Sequence, residues 1–313
     1  MDFEKNIQII IVNDGSTDNT EDICLKYRVK YPQNIKYVST KDCFGPAHAR
    51  NLGLNEAQGK YIIVMNGDMC LEKTALEKLY NAQEKNGTDI AICGFNIIDI
   101  NTNQLIHEGL NNKFKEVEEV NGKNENFAYL NLDGGNKLIK KEIAKDIGFQ
   151  NYDECQDEIF ILSCYSKANK LSFINEQLYY KYEDNSNKNL KNQIQIKDLK
   201  DGLVEVKKLY KDAGKYEKMK NMLTFIAFTR IGMRALLELN INKNGELKDN
   251  IRDIMNYLDI NFFEWRKNPF LKLKNVPRKK YWIAYTLYKY GFQQLFIKIY
   301  SKPIEKGNKL LIM

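Results

Sequence analysis

Short β-branched runs punctuate the first hundred residues, and each one ends in a polar turn. Ile7-Gln8-Ile9-Ile10-Ile11-Val12 reads as a strand buried in a sheet and stops at Asn13-Asp14-Gly15-Ser16-Thr17-Asp18, a turn-forming cluster. A helix is predicted to follow, with Ser16 or Thr17 as its cap and Glu21 and Asp22 in its first turn. Ile35-Lys36-Tyr37-Val38-Ser39 predicts a second strand, and the stretch from Gly45 to Gly59 a loop and a helix closed by Gly59. Tyr61-Ile62-Ile63-Val64-Met65 predicts a third buried strand, which ends at Asn66-Gly67-Asp68. Helical spacing returns over 72–86, and Asp89 to Gly94 reads as a fourth strand.

Strands alternating with helices in this way predict a doubly wound, mostly parallel α/β sheet, which places ligands beyond the carboxyl ends of its strands. Asp14 and Asp68 both fall at such ends. Residues 96–132 are polar and rich in Asn, and predict hairpins or an irregular insertion. Beyond about residue 190 the pattern changes to long amphipathic helices, through 196–240 and 246–258. Two regions are therefore expected, an α/β domain over 1–190 and a helical C-terminal region over 191–313.

A hydrophobic fraction of 43% suits a packed core, and no stretch approaches the roughly 18 apolar residues that span a bilayer. The acidic start, Met1-Asp2-Phe3-Glu4-Lys5, lacks the basic and apolar segments of a signal peptide, so a cytoplasmic protein is expected. Six cysteines without a C-x-x-C pair, beside only two histidines, offer no zinc framework and read as free thiols. From Arg278 to Met313 there are eight Lys or Arg and one acid, so the whole net charge of +7 sits in the tail. That distribution argues against a nucleic-acid-binding domain, which would spread its charge over the main fold.

Several segments, in order, carry a family resemblance. Ile9 to Thr20, I-I-I-V-N-D-G-S-T-D-N-T, resembles the second-strand signature of family 2 glycosyltransferases. Gly45 to Leu54 followed by Ala57-x-Gly59-Lys60-Tyr61 matches that family's G-x-x-x-A-R-N-x-G-L…A-x-G-x-Y segment. Asn66-Gly67-Asp68 falls where the family has its D-x-D. Asn136-Lys137-Leu138, Gln156-Asp157-Glu158-x-Phe160 and Asn175-Glu176-Gln177-Leu178-Tyr179-Tyr180 are similar to its N-K-L, E-D-x-x-F and N-E-x-L-Y-Y segments.

The resemblance implies the GT-A fold and inverting transfer of a sugar from a nucleoside-diphosphate sugar, a UDP-sugar by preference, to a cell-surface glycan or lipid-linked acceptor. It places Asp14, Arg50 and Asn66 on the nucleotide, Asp68 on a divalent metal (Mn²⁺ or Mg²⁺), and Asp157 as the base that takes the acceptor's proton. Those chemistries suit the residue types: a carboxylate holds a hard cation, a guanidinium fork meets phosphate or carboxylate, and a positioned carboxylate removes a proton. Each also has a plainer reading, as turn aspartates at 14 and 68, a structural ion pair at Arg50, and an acidic helix start at 157. Asn51 is expected to hold loop backbone rather than ligand.

Three departures qualify this resemblance. The family's opening strand, ending P-x-Y-N, has no counterpart ahead of Ile7, so an exposed sheet edge is expected there. Asn66 replaces the first aspartate of D-x-D, and Gln156 replaces the glutamate before the base. An alternative reading is therefore a non-catalytic remnant, or a binding partner of an intact transferase. A nucleotide-sugar pyrophosphorylase fits less well, because no Gly- and Arg-rich phosphate loop follows the first strand.

In the tail, Tyr281, Tyr285, Tyr288, Phe292, Leu295 and Ile299 recur at steps of three or four, predicting one apolar helical stripe bordered by lysines. Such a helix suits either an anionic inner-leaflet membrane surface or the interior of its own domain.

Overall fold

Ile9–Asp14 (β1) pairs in parallel with Ile35–Thr40 (β2), Val12 lying opposite Val38. The helix between them, Thr20–Lys30 (α1), starts later than its sequence suggests, and neither Ser16 nor Thr17 caps it. The Ser16 N–H is bonded to Asn13 Oδ1 at 3.1 Å and the Thr20 N–H to Asp18 Oδ1 at 3.0 Å, so local side-chain turns occupy the segment first. Gly15 makes that turn possible: its φ is +71°, and a Cβ there would lie 2.8 Å from the Asp42 carbonyl carbon. Among the described residues β1 has no second ladder partner, and Ile9 is 46% exposed, so the strand carries an open edge.

The computed structural model describes residues 6–109, 111, 113–152, 155–184, 196–241, 245–272 and 279–305. The chain divides into two units, one of residues 1–120, 131–152 and 156–185, the other of residues 121–130, 153–155 and 186–313. In the first unit, Pro46–Glu56 (α2) ends before Gly59, on an extended Ala57. Tyr61–Ile62 (β3) is shorter and less buried than the predicted strand, and Met69–Leu71 (β4) follows the Asn66–Asp68 turn. Ala75–Asn86 (α3) closes on left-handed Gly87. Ile90–Asp99 (β5) forms a hairpin with Leu105–Gly109 (β6), in the region expected to hold hairpins, and Val117–Glu119 (β7) follows. Lys137–Lys140 (β8), Lys141–Ile147 (α4), Gln156–Lys167 (α5) and Lys170–Glu183 (β9) complete the unit.

The larger sheet runs β3-β8-β5-β9-β4, with β6 on β5 and β7 on β9. Its ladders are mixed rather than mostly parallel: β5 and β9 are parallel, whereas β8 runs antiparallel to both β5 and β3. The polar insertion, not a helical crossover, joins β5 to β8, and such a connection lets the chain return antiparallel. β3 pairs with only the last two residues of β8, Tyr61 with Lys140 and Ile62 with Ile139. Leu79, Ala91, Cys93 and Tyr179 are fully buried between α3 and the sheet. All six cysteines are free thiols.

In the second unit, Ile196–Asp212 (α6), Tyr216–Ala227 (α7), Leu236–Ile241 (α8) and Leu247–Asn261 (α9) bear out the helical patterns. α7 and α8 are joined by a π-helical stretch, Phe228–Ala235, where Thr229 bonds back to the Phe225 carbonyl at 3.0 Å. Phe228 stacks on Trp265 (5.3 Å, 11°) and meets Tyr288 edge-on (5.2 Å, 81°), forming an aromatic core. The predicted tail stripe is broken in two. Lys279–Lys289 (α10) ends at Gly291 (φ +79°), with the Phe292 N–H bonded to the Leu287 carbonyl and the Gly291 N–H to that of Tyr288. Gln293–Glu305 (α11) then buries Phe296 and Tyr300, while Phe292, Leu295 and Ile299 face outward.

Asp89 ties β5 to its neighbours, accepting from Lys140 Nζ (2.7 Å) and from the N–H groups of Asn169 (2.7 Å) and Lys170 (3.2 Å). Burial pushes its carboxyl up, but these donors outweigh that and hold it below the ordinary range. A depressed folded pKa contributes stability above the unfolded value of roughly 3.9, and that stability is lost as pH falls through the folded value. Asp89→Asn is therefore expected to cost about 2 kcal/mol in urea unfolding at pH 7, and less as the pH falls through the depressed folded value of Asp89.

Candidate active site

Asp14 closes β1 and is gripped by the loop entering α2. Its carboxylate accepts from the Thr40 hydroxyl (3.0 Å), the Phe44 N–H (3.1 Å) and the Gly45 N–H (2.7 Å). Burial raises its pKa, and these donors together with the Cys43 thiol more than offset that, leaving it below the usual carboxylate range. His48 Nδ1 approaches it at 4.0 Å, and the exposed Phe44 ring lies 4.8 Å from the His48 ring. Asp14 thus fixes the 40–45 loop and, with it, the start of α2.

Two residues beyond His48, on the same helix, Arg50 collects three distant parts of the chain. Its Nη1 donates to Gln156 Oε1 (2.8 Å) and pairs with Asp157 Oδ1 (3.3 Å). Its Nη2 donates to Asn66 Oδ1 (3.0 Å) and approaches Asp157 Oδ2 (3.4 Å). The guanidinium also lies over the Phe149 ring, 5.2 Å from its centroid. Asn51 secures that ring's backbone, donating to the Phe149 carbonyl (2.8 Å) and accepting from its N–H (2.7 Å), as expected of a loop-holding residue. Phe149 in turn stacks on Phe160 of α5 (4.0 Å, 17°). Arg50 therefore has the geometry of an internal ion pair, with its fork turned to protein groups.

Asp157 sits in the first turn of α5, where the helix dipole favours a carboxylate. Burial nonetheless raises its pKa above the ordinary value. Arg50 pulls it down, the Asp133 charge pushes it up, and Lys181 and Lys137 pull it down again. A carboxylate poised upward in this way is better matched to proton abstraction than a fully solvated one.

Asp68 is exposed, in the turn that leads into β4, and its charge bears on Tyr179 and Lys181. Among the described residues no three His, Cys, Asp or Glu side chains gather as a ready metal cage. One free-facing carboxylate beside an amide oxygen already bonded to Arg50 fits a hard divalent cation that completes its shell with phosphate oxygens and water. The donor set thus fits a metal carried in with a diphosphate.

The structure adds Asp133 and Lys181, which sequence reasoning did not single out, and gives partners to Lys137 and Tyr179, named there only as motif positions. Asp133 accepts from the Tyr179 hydroxyl (3.0 Å) and the Gly135 N–H (2.9 Å), and faces Lys181 Nζ at 3.9 Å. Lys137 is fully buried, donates to the Asp133 carbonyl and to Asn136 Oδ1 (both 2.6 Å), and is pushed by burial down to about 8. Gly135 permits this packing, because a Cβ there would lie 2.4 Å from the Tyr179 ring. For Asp133 the signal in the sequence is the Asp-Gly-Gly turn, which reads as a turn alone. Arg50, Asn66, Gln156 and Asp157 converge, with Asp133 and Lys137 acting on Asp157 through space, while Asp14 is held separately by the loop entering α2.

Residues 2–148 match the family model described as Glycosyl transferase family 2. This match, over just under half of the chain, places residues 2–148 in that family. Over 193 residues it is 33% identical to the cholesterol galactosyltransferase of Borreliella burgdorferi, covering 57% of this chain and 52% of that protein. It is 28% identical over 272 residues to the minor teichoic acid biosynthesis protein GgaB of Bacillus subtilis, covering 82% of this chain and 29% of the other. The chain spans about half the length of the first of these relatives and under a third of the second. Among solved structures it is similar to S. aureus TarS 1-349 in complex with UDP-GlcNAc, with a TM-score of 0.71, 17% identity, and coverage of 97% of this chain and 85% of that one. At that identity the likeness speaks to the fold, and it supports a GT-A architecture for this family 2 domain.

If Arg50 restrains Asp157 as the geometry indicates, Arg50→Met should raise the Asp157 pKa further above the ordinary carboxylate range. Carbon-13 NMR titration of the carboxyl would show it, and Arg50→Lys should show a smaller rise.

Proposed function

We propose that the chain is an inverting glycosyltransferase, taking a sugar from a nucleoside-diphosphate donor, by preference a UDP-sugar, to a cell-surface glycan or lipid-linked acceptor. The observation that carries this reading is the convergence on Arg50 of Asp157, at a helix N-terminus, with Asn66 from the turn that holds Asp68. A base and a diphosphate-facing turn joined by one cation are what a single displacement at an anomeric carbon requires.

In this reading the acceptor hydroxyl oxygen bonds to the anomeric carbon as that carbon's bond to the donor phosphate oxygen breaks. The hydroxyl proton passes to Asp157, and the bonding electrons leave with the nucleoside diphosphate. Asp14 and Asn66 border the nucleotide, and Arg50 lies between the base and the departing phosphate. Asp68 would hold a Mn²⁺ or Mg²⁺ ion, which when bound offsets the charge growing on the diphosphate. The raised pKa of Asp157 keeps the proton transfer closer to balance than an ordinary carboxylate would.

Several relatives are named for envelope chemistry, including the poly(ribitol-phosphate) beta-glucosyltransferase of Bacillus spizizenii. They support a cell-envelope acceptor and a working place at the inner face of the plasma membrane as part of the same proposal. No helix among the described residues is long and apolar enough to cross a membrane. A second reading, a non-catalytic binding subunit, is favoured by the amides at Asn66 and Gln156 and by the open edge of β1.

Calorimetry with UDP separates the two. The transferase reading expects metal-dependent binding that Asp68→Ala abolishes. Asp157→Asn should leave UDP binding intact and reduce transfer by roughly 10²- to 10⁴-fold. Absence of UDP binding with Mn²⁺, with Mg²⁺ and without metal would sink the transferase reading and leave the binding-subunit one.

A further inference from the structure

The outward face of α11 belongs to neither the core of its unit nor the sugar-transfer chemistry. Phe296 and Tyr300 on this helix are buried, at 0% and 8% exposure. Leu295 and Ile299, one step round, are each 45% exposed. The Gly291 turn adds Tyr290 (65%) and Phe292 (57%) at the head of the same line. Apolar residues thus occupy both the inner and the outer side of the helix, although a helix on the surface of a soluble domain ordinarily turns polar groups outward. The capping geometry explains how they are displayed. The left-handed Gly291 redirects the chain, so the predicted stripe divides and its second half points away from the core.

Along the sequence, the charge of this segment has one sign. Between Glu264 and Glu305 the chain carries ten Lys or Arg and no acid. Lys289 and Lys298 are exposed beside the ridge, with Lys289 lying over the Tyr290 ring at 5.9 Å. Lys267 and Lys279, also exposed, add to the positive field of the same unit. An apolar ridge tipped with Tyr and Phe and flanked by lysines complements a surface with an apolar interior and anionic headgroups. A partner protein with an acidic rim would match the charge, but the mixture of aromatic and aliphatic tips in one line suits shallow insertion better than a shaped pocket.

We propose that the ridge formed by Tyr290, Phe292, Leu295 and Ile299 seats the chain on an anionic lipid bilayer, with the neighbouring lysines over the headgroups. This rests on the membrane placement in the functional reading above, and supplies the surface that would carry it. The contact is peripheral: the side chains reach the headgroup boundary and the helix lies along the plane.

The test is sedimentation of the full chain with vesicles of phosphatidylcholine alone and of phosphatidylcholine containing about 30% phosphatidylglycerol. Binding to the anionic vesicles, weakened by high salt, is expected. The double substitution Leu295→Gln, Ile299→Gln keeps helix propensity and touches only exposed positions. It should reduce vesicle binding at least tenfold while thermal unfolding and UDP calorimetry match the parent chain. Overturning results are no binding of the parent chain to anionic vesicles, or equal binding by the double variant. Concentration-dependent self-association that the double variant abolishes, in a chain that ignores vesicles, would make the ridge an interface between copies instead. UDP binding without vesicle binding would leave the transferase reading standing and remove only this one, and the converse result would do the opposite.

Discussion

One guanidinium holds the candidate site together. Arg50 is supplied by α2, yet its hydrogen bonds go to residues 16, 106 and 107 positions away, in the turn before β4 and the first turn of α5. Its side chain is 14% exposed and that of Asp157 is 28%, so water screens the pair only partly. Removing one partner from a buried pair costs about 3–5 kcal/mol, and this pair, with some solvent access, lies below that limit. The arginine cannot lose its proton, so whatever binds nearby meets a fixed positive charge already engaged with a carboxylate. Everything else in the site serves to keep that fork in place: Asn51 pins Phe149, Phe149 supports the guanidinium from below, and Phe160 carries the stack into α5.

A second group of charges surrounds the first without touching it. Asp133, Lys137, Tyr179 and Lys181 come from β8, β9 and the turn ahead of β8; the charges of Asp133, Lys137 and Lys181 oppose one another at Asp157, and the neutral Tyr179 hydroxyl donates to Asp133. Lys137 is the sharpest case, because its ammonium is fully buried and bonded to neutral oxygens rather than to a carboxylate. Such a group persists only where the surrounding structure over-determines it, and here Gly135 against Tyr179 leaves no room for rearrangement.

Much of the first unit was legible because buried strands and their turns depend on local residue types. The run Ile9 to Val12, the Asn-Asp-Gly turn and the strand from Ile35 all appear where the hydrophobic pattern puts them. What was not legible depends on partners. β3 is a strand only over the two residues that pair with β8, and β8 runs antiparallel because a polar insertion rather than a helix precedes it. The α1 cap is not at Ser16 or Thr17 because the helix begins only at Thr20, after the side-chain turns of Asn13 and Asp18. The tail pattern predicted one stripe, but Gly291 was free to turn left-handed and divide it. Asp14, Arg50, Asn66 and Asp157 were visible as motif positions, whereas Asp133 and Lys181 became visible only when the sheet set them beside Asp157.

The two amides that depart from the family pattern gain a physical meaning from this arrangement. Asn66 and Gln156 stand where the resemblance implies carboxylates, and both accept hydrogen bonds from Arg50. Had both been carboxylates, three anions would have shared one guanidinium inside a partly buried site, and mutual repulsion would have pushed the pKa of Asp157 further up. With amides, the geometry of the fork is kept, since an amide oxygen accepts as a carboxylate oxygen does. The full charge of Arg50 then falls on Asp157 alone. The replacements are therefore linked through one side chain rather than being independent losses. They lower the negative charge of the Asn66–Asp68 turn while holding Asp157 closer to its ionised form. In this chain the electrostatic balance of the site is shifted from that turn toward the carboxylate on α5.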